Sequence, residues 1–208
     1  MGGTAERGGI GDEVLRKEDL KFLLGRGRFV SDITFADELH VAFVRSPHGH
    51  ARINALDVSA AAAMPGVVAV LTGRDMADDG VGTMPFMWTM SNSDGSPMKQ
   101  PPRWPLARDR VRHAGEPVAM VAAETAAQAA DAAEAVAVDY APLPAVTESR
   151  AALADGAPQL HDEAPGNEIY TWGRGNGDAA RAAIAAAPHV IKMELVNNRL
   201  ACAALEAR

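Results

Sequence analysis

The chain has 208 residues, of which 48% are hydrophobic and 23% charged, and its formal net charge is −7. This acidic balance argues against nucleic acid or an anionic membrane surface as the main partner, because both favour a basic protein face. A single cysteine, Cys202, excludes an internal disulfide framework and cysteine-rich zinc or iron–sulfur sites. No apolar run approaches the roughly 20 residues of a membrane span, and the Gly-rich start lacks the apolar core of a signal peptide. We therefore expect a cytoplasmic protein.

An extended arm is predicted at the start of the chain. Five glycines among the first eleven residues make its beginning flexible. Residues 16–24 can form a short helix, which runs into the motif Gly25-Arg26-Gly27-Arg28-Phe29 and a turn at Ser31-Asp32.

The first clear periodic signal lies in residues 39–76. Alternation over residues 39–44 predicts a strand buried on at least one face, and residues 53–58 predict a second strand after a turn. Ser59 is a candidate cap for a short helix through Met64, and residues 67–71 form a β-rich apolar run that predicts a buried strand.

The second periodic signal lies in residues 106–140. The apolar run ending at Ala123 predicts a buried strand, and Thr125 with Gln128 forms a T-x-x-Q capping box that opens a helix through Ala135. Residues 136–140 predict a last strand. This order of elements predicts two α/β halves with a mixed sheet, joined by an irregular loop.

Two stretches lack a periodic signal. Residues 77–105 are rich in Gly, Pro, Met, Ser and Asn, and a loop of this length is usually functional or covered by a partner. Residues 141–177 are punctuated by Pro and Gly and predict an extended connector, followed by a helix capped by Asp178 and a strand over residues 189–197. We expect residues 141–208 to lie outside the compact domain and to need a partner for order.

Six segments, in this order, resemble the xanthine dehydrogenase and aldehyde oxidase family, and in particular its carbon monoxide dehydrogenase-type large subunits. They are the arm (Arg16, Glu18, Asp19, Phe22, Leu23, Gly25–Phe29 and Asp32), the family's first hairpin at Phe43–Ile53, and the stretches Pro65–Gly73, Val111–Ala119, Val138–Pro144 and Asn197–Leu200. Each segment alone is weak evidence, but together they cover nearly the whole chain.

The resemblance implies an N-terminal arm over residues 1–24, an α/β-hammerhead domain over residues 25–145, and over residues 146–208 a linker into a molybdopterin-binding domain. It also implies an oxidoreductase that adds water-derived oxygen to an aldehyde, a heteroaromatic compound or carbon monoxide. The intact enzyme would be a heteromer that carries molybdenum–molybdopterin, with iron–sulfur clusters and FAD in partner subunits.

The resemblance also implies where the catalytic residues lie. The family's Gly-Gly-Phe-Gly loop, its metal-facing loop and its catalytic glutamate correspond to sequence beyond residue 208. We therefore expect no catalytic, cofactor-binding or metal-binding residue in this chain, and a structural role in supporting the cofactor domains. The alternative is a free-standing binding or assembly module that pairs with a separate catalytic chain.

Two local motifs have a chemical and a structural interpretation. The motif Gly25-Arg26-Gly27-Arg28 could bind an anion, but it lacks the context of a nucleotide loop, so glycines that permit an unusual backbone path are favoured. His48 and His50 have the spacing of a metal pair on a strand, but no third ligand lies nearby in the sequence, so structural histidines are favoured.

Three further features are weighed in the same way. Glu116 could be a general base, but a backbone-amide or arginine partner is the favoured role. Cys202 has the surroundings of a small buried hydrophobe. The last feature is the loop over residues 77–105, called the methionine-rich loop below, which contains Met84, Met87, Met90 and Met98 together with Phe86, Trp88 and Trp104. It either packs on other domains or borders a substrate channel.

Overall fold

The computed structural model describes residues 15–197, so the predictions for Cys202 and for residues 1–14 lie outside the described residues. The chain divides into two units, one formed by residues 37–192 and the other by the sequence on either side of it. The helices and strands are α1 (Asp19–Leu23), β1 (His40–Arg45), β2 (Ala51–Asp57), α2 (Ser59–Ala62), β3 (Val67–Thr72), α3 (Gly73–Asp78), β4 (Arg110–Val111), β5 (Pro117–Ala123), α4 (Ala126–Glu134), β6 (Ala137–Pro142) and α5 (Gly177–Ala186). Among these described helices, none is long and apolar enough to cross a membrane.

Six strands form two three-stranded sheets, with the orders β1-β5-β3 and β4-β2-β6. The α/β class is confirmed, but all of these strand pairs are antiparallel instead of forming one mixed sheet. The predicted hairpin of β1 and β2 is wrong, because the two strands belong to different sheets. The two predicted halves are not separate either, since each sheet combines strands from before and after the long loop.

The strand β5 is the centre of the first sheet and of the core. Val118, Ala119 and Val121 have no exposed surface, as expected for a strand paired on both edges. Alanines at positions 61 and 132 are equally buried beside it, so short side chains let α2 and α4 approach the sheet closely. The predicted buried strand over residues 118–123 is confirmed, whereas β3 is only half-buried and leaves Val68 58% exposed.

The capping residues only partly follow prediction. Thr125 caps α4 as predicted, because its hydroxyl accepts a hydrogen bond from the backbone N–H of Gln128. At α2 it is the Asp57 carboxylate, and not the Ser59 hydroxyl, that accepts from the backbone at the helix start. At α5 the cap is the side chain of Asn176 instead of Asp178.

The connector after β6 packs more closely than predicted. The backbone N–H of Leu143 donates to the carbonyl oxygen of His50. The long loop also contacts the connector, because the side-chain oxygen of Asn92 accepts from the backbone N–H of Thr171. Ala164 is 2% exposed. The expectation that residues 141–208 lie outside the compact unit is therefore wrong up to residue 192. Polar side chains of the long loop provide hydrogen bonds that a strand would otherwise give. Residues 189–197 form no strand and are exposed.

Candidate functional site

The turn between β4 and β5 carries the polar side chains that the sequence singled out. Its conformation is set by Gly115, which has a φ of +85° and donates its backbone N–H to the carbonyl oxygen of Ser46. The Glu116 carboxylate accepts a hydrogen bond from the backbone N–H of Arg112 and lies 3.5 Å from Nδ1 of His113. Glu116 thus has the backbone-amide partner that the sequence analysis favoured.

The connector brings a second histidine to this turn. Arg112 donates from Nε to the carbonyl oxygen of Leu160, at 2.9 Å. His161 follows Leu160 in the chain, so this hydrogen bond brings the histidine to the turn. Burial and the Arg112 charge lower the pKa of His161, although Glu163 and Glu116 act in the opposite direction. The buried Nδ1 atom of His161 has no hydrogen-bond partner within the described residues. Sequence reasoning missed His161, because nothing in its local pattern indicates that the connector folds back.

Next to this polar group lies a cavity of about 680 Å³. Its walls are mostly apolar, and the lining residues include Phe43, Met76, Met84, Trp104, Leu106, Pro117 and Met120 together with Arg112, His113, Glu116 and His161. Met84 and Trp104 come from the methionine-rich loop, so that loop covers one side of the cavity. An apolar cavity with a few converging polar groups is typical of a small-molecule site.

His48 and His50 lie in the turn after β1 and do not converge on a common point with a third ligand. His50 is 5% exposed and donates from Nδ1 to the carbonyl oxygen of Pro144, at 2.7 Å. The ring of His48 packs edge-on against Tyr140, with 5.0 Å between centroids. Burial raises the pKa of the Tyr140 hydroxyl, whose oxygen has no hydrogen-bond partner within the described residues. The contacts of both histidines are those of structural residues.

The glycines of the arm motif have a structural explanation. Gly25, at a φ of +66°, follows α1 and donates its backbone N–H to Phe22, while Arg26 donates to Lys21, which is the Schellman arrangement at a helix end. A side chain at Gly27 would come within 2.6 Å of the Phe22 ring, which stacks on Phe29. These contacts fit the favoured interpretation of an unusual backbone path.

The methionine-rich loop is ordered by contacts between its own members. Trp88 donates from its indole N–H to the sulfur of Met90, and the backbone of Met90 donates to the sulfur of Met98. The loop nevertheless leaves Met87 99% exposed and Trp88 77% exposed. Apolar side chains of this size are unusual on a free surface.

The resemblance implies a molybdenum cofactor in the intact enzyme, and the structure describes residues 15–197 of this chain. Within that range, no three His, Cys, Asp or Glu side chains come together where a metal ion could be held.

A comparison with known families matches residues 24–144 to the description "Aldehyde oxidase and xanthine dehydrogenase, a/b hammerhead domain". The chain belongs to this family. Two curated relatives are about a third identical to it over their aligned regions. The nicotine 6-hydroxylase large subunit of Paenarthrobacter nicotinovorans is 36% identical over 96% of this chain and 23% of its own length. The carbon monoxide dehydrogenase large chain of Hydrogenophaga pseudoflava is 34% identical over 92% of this chain and 24% of its own.

Solved structures of the same family share the hammerhead fold. Reconstituted CO dehydrogenase from Oligotropha carboxidovorans has a TM-score of 0.69 at 32% identity, over 86% of this chain and 22% of the other. Quinoline 2-oxidoreductase from Pseudomonas putida 86 has a TM-score of 0.62 at 40% identity, over 72% of this chain and 18% of the other. The chain thus spans about a quarter of the length of the curated relatives that it matches.

Proposed function

We propose that this chain is the amino-terminal part of the large subunit of a molybdenum hydroxylase, and that its role there is structural. The observation that carries this proposal is uncovered apolar surface. In the exposed stretch over residues 190–196, Ile191 is 92% exposed and Leu195 and Val196 are each 81% exposed. Side chains of this type are usually withdrawn from water, so we infer that the remaining domains of the subunit cover them.

The proposed activity belongs to the intact enzyme. We infer that it oxidises or hydroxylates an aldehyde, a heteroaromatic compound or carbon monoxide with oxygen derived from water. Molybdenum–molybdopterin on the remaining domains would supply the two-electron oxidation, and iron–sulfur clusters and FAD would lie in partner subunits. The names of the relatives, a nicotine hydroxylase and carbon monoxide dehydrogenases, support this class of reaction.

Several finer assignments are part of the same proposal. We divide the chain into an arm over residues 1–24, a hammerhead domain over residues 25–145 and a linker over residues 146–208. No catalytic, cofactor-binding or metal-binding residue is assigned in it. The methionine-rich loop packs on the remaining domains, and the alternative is that it borders the substrate channel. We also infer a cytoplasmic location.

The first test is metal analysis of the purified 208-residue chain. The expected result is molybdenum far below one atom per chain, together with no oxidase activity towards aldehydes, N-heterocycles or carbon monoxide. Near-stoichiometric molybdenum would contradict the proposal, because the chain would then hold the cofactor by itself.

The second test separates the structural segment from a free-standing assembly module. In it, the matching region of the Hydrogenophaga pseudoflava carbon monoxide dehydrogenase large chain is deleted, and this chain is supplied either fused in its place or as a separate polypeptide. We expect molybdenum and activity to be restored by the fusion alone. Restoration by the separate polypeptide would favour the assembly module.

A further inference from the structure

The proposed function makes no use of the cavity beside the β4–β5 turn. Phe43 and Met120 are partners across β1 and β5, and both line this cavity from the sheet. Trp104 and Leu106 line it from the loop that precedes β4. The cavity's volume of about 680 Å³ lies within the range of roughly 300–1,000 Å³ that is typical of small-molecule sites.

The polar groups beside the β4–β5 turn mark one end of the cavity, and the whole lining has two arginines against one carboxylate. Arg103 and Arg112 are permanently charged, and His113 and His161 add ring nitrogens. The carboxylate at this end, Glu116, already accepts the backbone N–H of Arg112 and lies 3.5 Å from the His113 ring. An anion could therefore bind there without displacing a partner of the arginines.

The Arg112 guanidinium has N–H groups available to such an anion. Among the described residues, the acceptors of the Arg112 guanidinium are the carbonyl oxygens of Leu160, at Nε, and of Arg110, at Nη1, so the N–H groups of Nη2 have no protein acceptor. His161 also lines the cavity, and its buried Nδ1 lacks a partner within the described residues.

We propose that this cavity binds a small aromatic carboxylic acid, with the carboxylate at Arg112 and His161 and the ring between Trp104 and Phe43. A guanidinium can donate to both oxygens of a charged carboxylate, whereas a neutral amide offers it one oxygen acceptor. The apolar walls favour a flat hydrocarbon ring over an inorganic anion such as phosphate, which would leave most of the cavity unfilled.

The test measures binding of 4-fluorobenzoate to the 208-residue chain by ¹⁹F NMR, with the neutral 4-fluorobenzamide as matched ligand. We expect the acid to bind about tenfold more tightly than the amide, because only the acid makes charge-assisted hydrogen bonds. The sequence has three tryptophans, and the double variant Trp88→Phe with Trp172→Phe retains only Trp104. Saturable quenching of its fluorescence by the acid locates the ligand at the cavity.

Variants then identify the groups that recognise the carboxylate. Arg112→Gln should lower affinity for the acid about tenfold and leave the amide unaffected, whereas Arg181→Gln, on the exposed helix α5, should change neither. Equal affinity for acid and amide, no saturable binding, or selectivity that survives in a folded Arg112→Gln chain would each overturn the proposal. The acid–amide comparison uses an unaltered cavity, so it decides the question even if Arg112→Gln does not fold. No step involves molybdenum, so a negative result leaves the proposed function untouched.

Discussion

At the scale of single residues, two positions show how backbone and charge constrain this fold. Gly73 begins α3 where the backbone of the loop before β4 passes very close to it. His161 is held in partly buried surroundings beside a permanent positive charge. The first constraint is steric and the second electrostatic, and each leads to a measurable expectation.

Replacement of Gly73 by alanine should destabilise the chain. A methyl group there would lie 2.6 Å from the carbonyl oxygen of Ala107 and 2.9 Å from that of Leu106, and backbone atoms cannot yield as a flexible side chain can. We expect the free energy of unfolding, measured in urea, to fall by about 1–3 kcal/mol. Gly82→Ala is the matched control, because nothing lies within 4 Å of its added methyl group. Equal stability of the two variants would contradict this close approach.

The histidine ring of His161 should titrate below its ordinary value of 6.5. Burial is the larger cause and the Arg112 charge the second. Because the folded pKa is lowered, the unfolded chain binds more protons once the pH falls below 6.5, so this group should reduce stability progressively as the pH falls towards the folded pKa. NMR titration of the ring gives the pKa directly, and His161→Gln should weaken the fall in unfolding free energy over that window. A ring that titrates at or above 6.5 would refute the buried placement.

At the scale of elements, short helices pack on a central strand through small side chains. Ala129 and Ala132 of α4 are 1% and 0% exposed, and they lie over the sheet that β5 centres. A helix of nine residues is too short to be stable in isolation, so its cap and its packing both matter.

Loss of the Thr125 cap should therefore be measurable in the whole domain. Thr125→Ala removes the acceptor of the Gln128 backbone N–H and should lower the free energy of unfolding by about 1 kcal/mol. Thr89→Ala, in an exposed part of the long loop, serves as control. If both substitutions had the same effect in urea unfolding, the cap would contribute nothing.

At the scale of the whole molecule, the described residues combine a packed core with apolar surface that has no cover. The loop around Trp88 and the stretch over residues 190–196 both expose large apolar side chains. Three solved structures of the family are four to six times longer than this chain's matched region, since it covers 18–23% of them. We regard these exposed surfaces as contacts of the proposed intact subunit.

Hydrogen exchange should distinguish covered from uncovered backbone. In the purified 208-residue chain, the amides from Ile191 to Val196 should exchange rapidly, whereas those of Val118 to Ala123 should be protected by strand pairing on both edges. In the fusion with the carbon monoxide dehydrogenase large chain, the first group should become protected. Strong protection in the isolated chain would show that residues 191–196 pack within it.

The sequence by itself determined the family, most strand positions and the α4 cap, because these depend on short-range patterns. Alternating apolar residues, a T-x-x-Q box and six ordered segments can be seen without knowledge of the partners in space. Strand pairing could not be predicted in this way, since β1 and β2 are adjacent in sequence but belong to different sheets. Only the tertiary structure brought His161 near Arg112, and Met84 to the cavity that Phe43 lines, because these residues are far apart in the chain. The physical reason is that local propensity sets an element's type, while burial and long-range hydrogen bonds decide which elements meet.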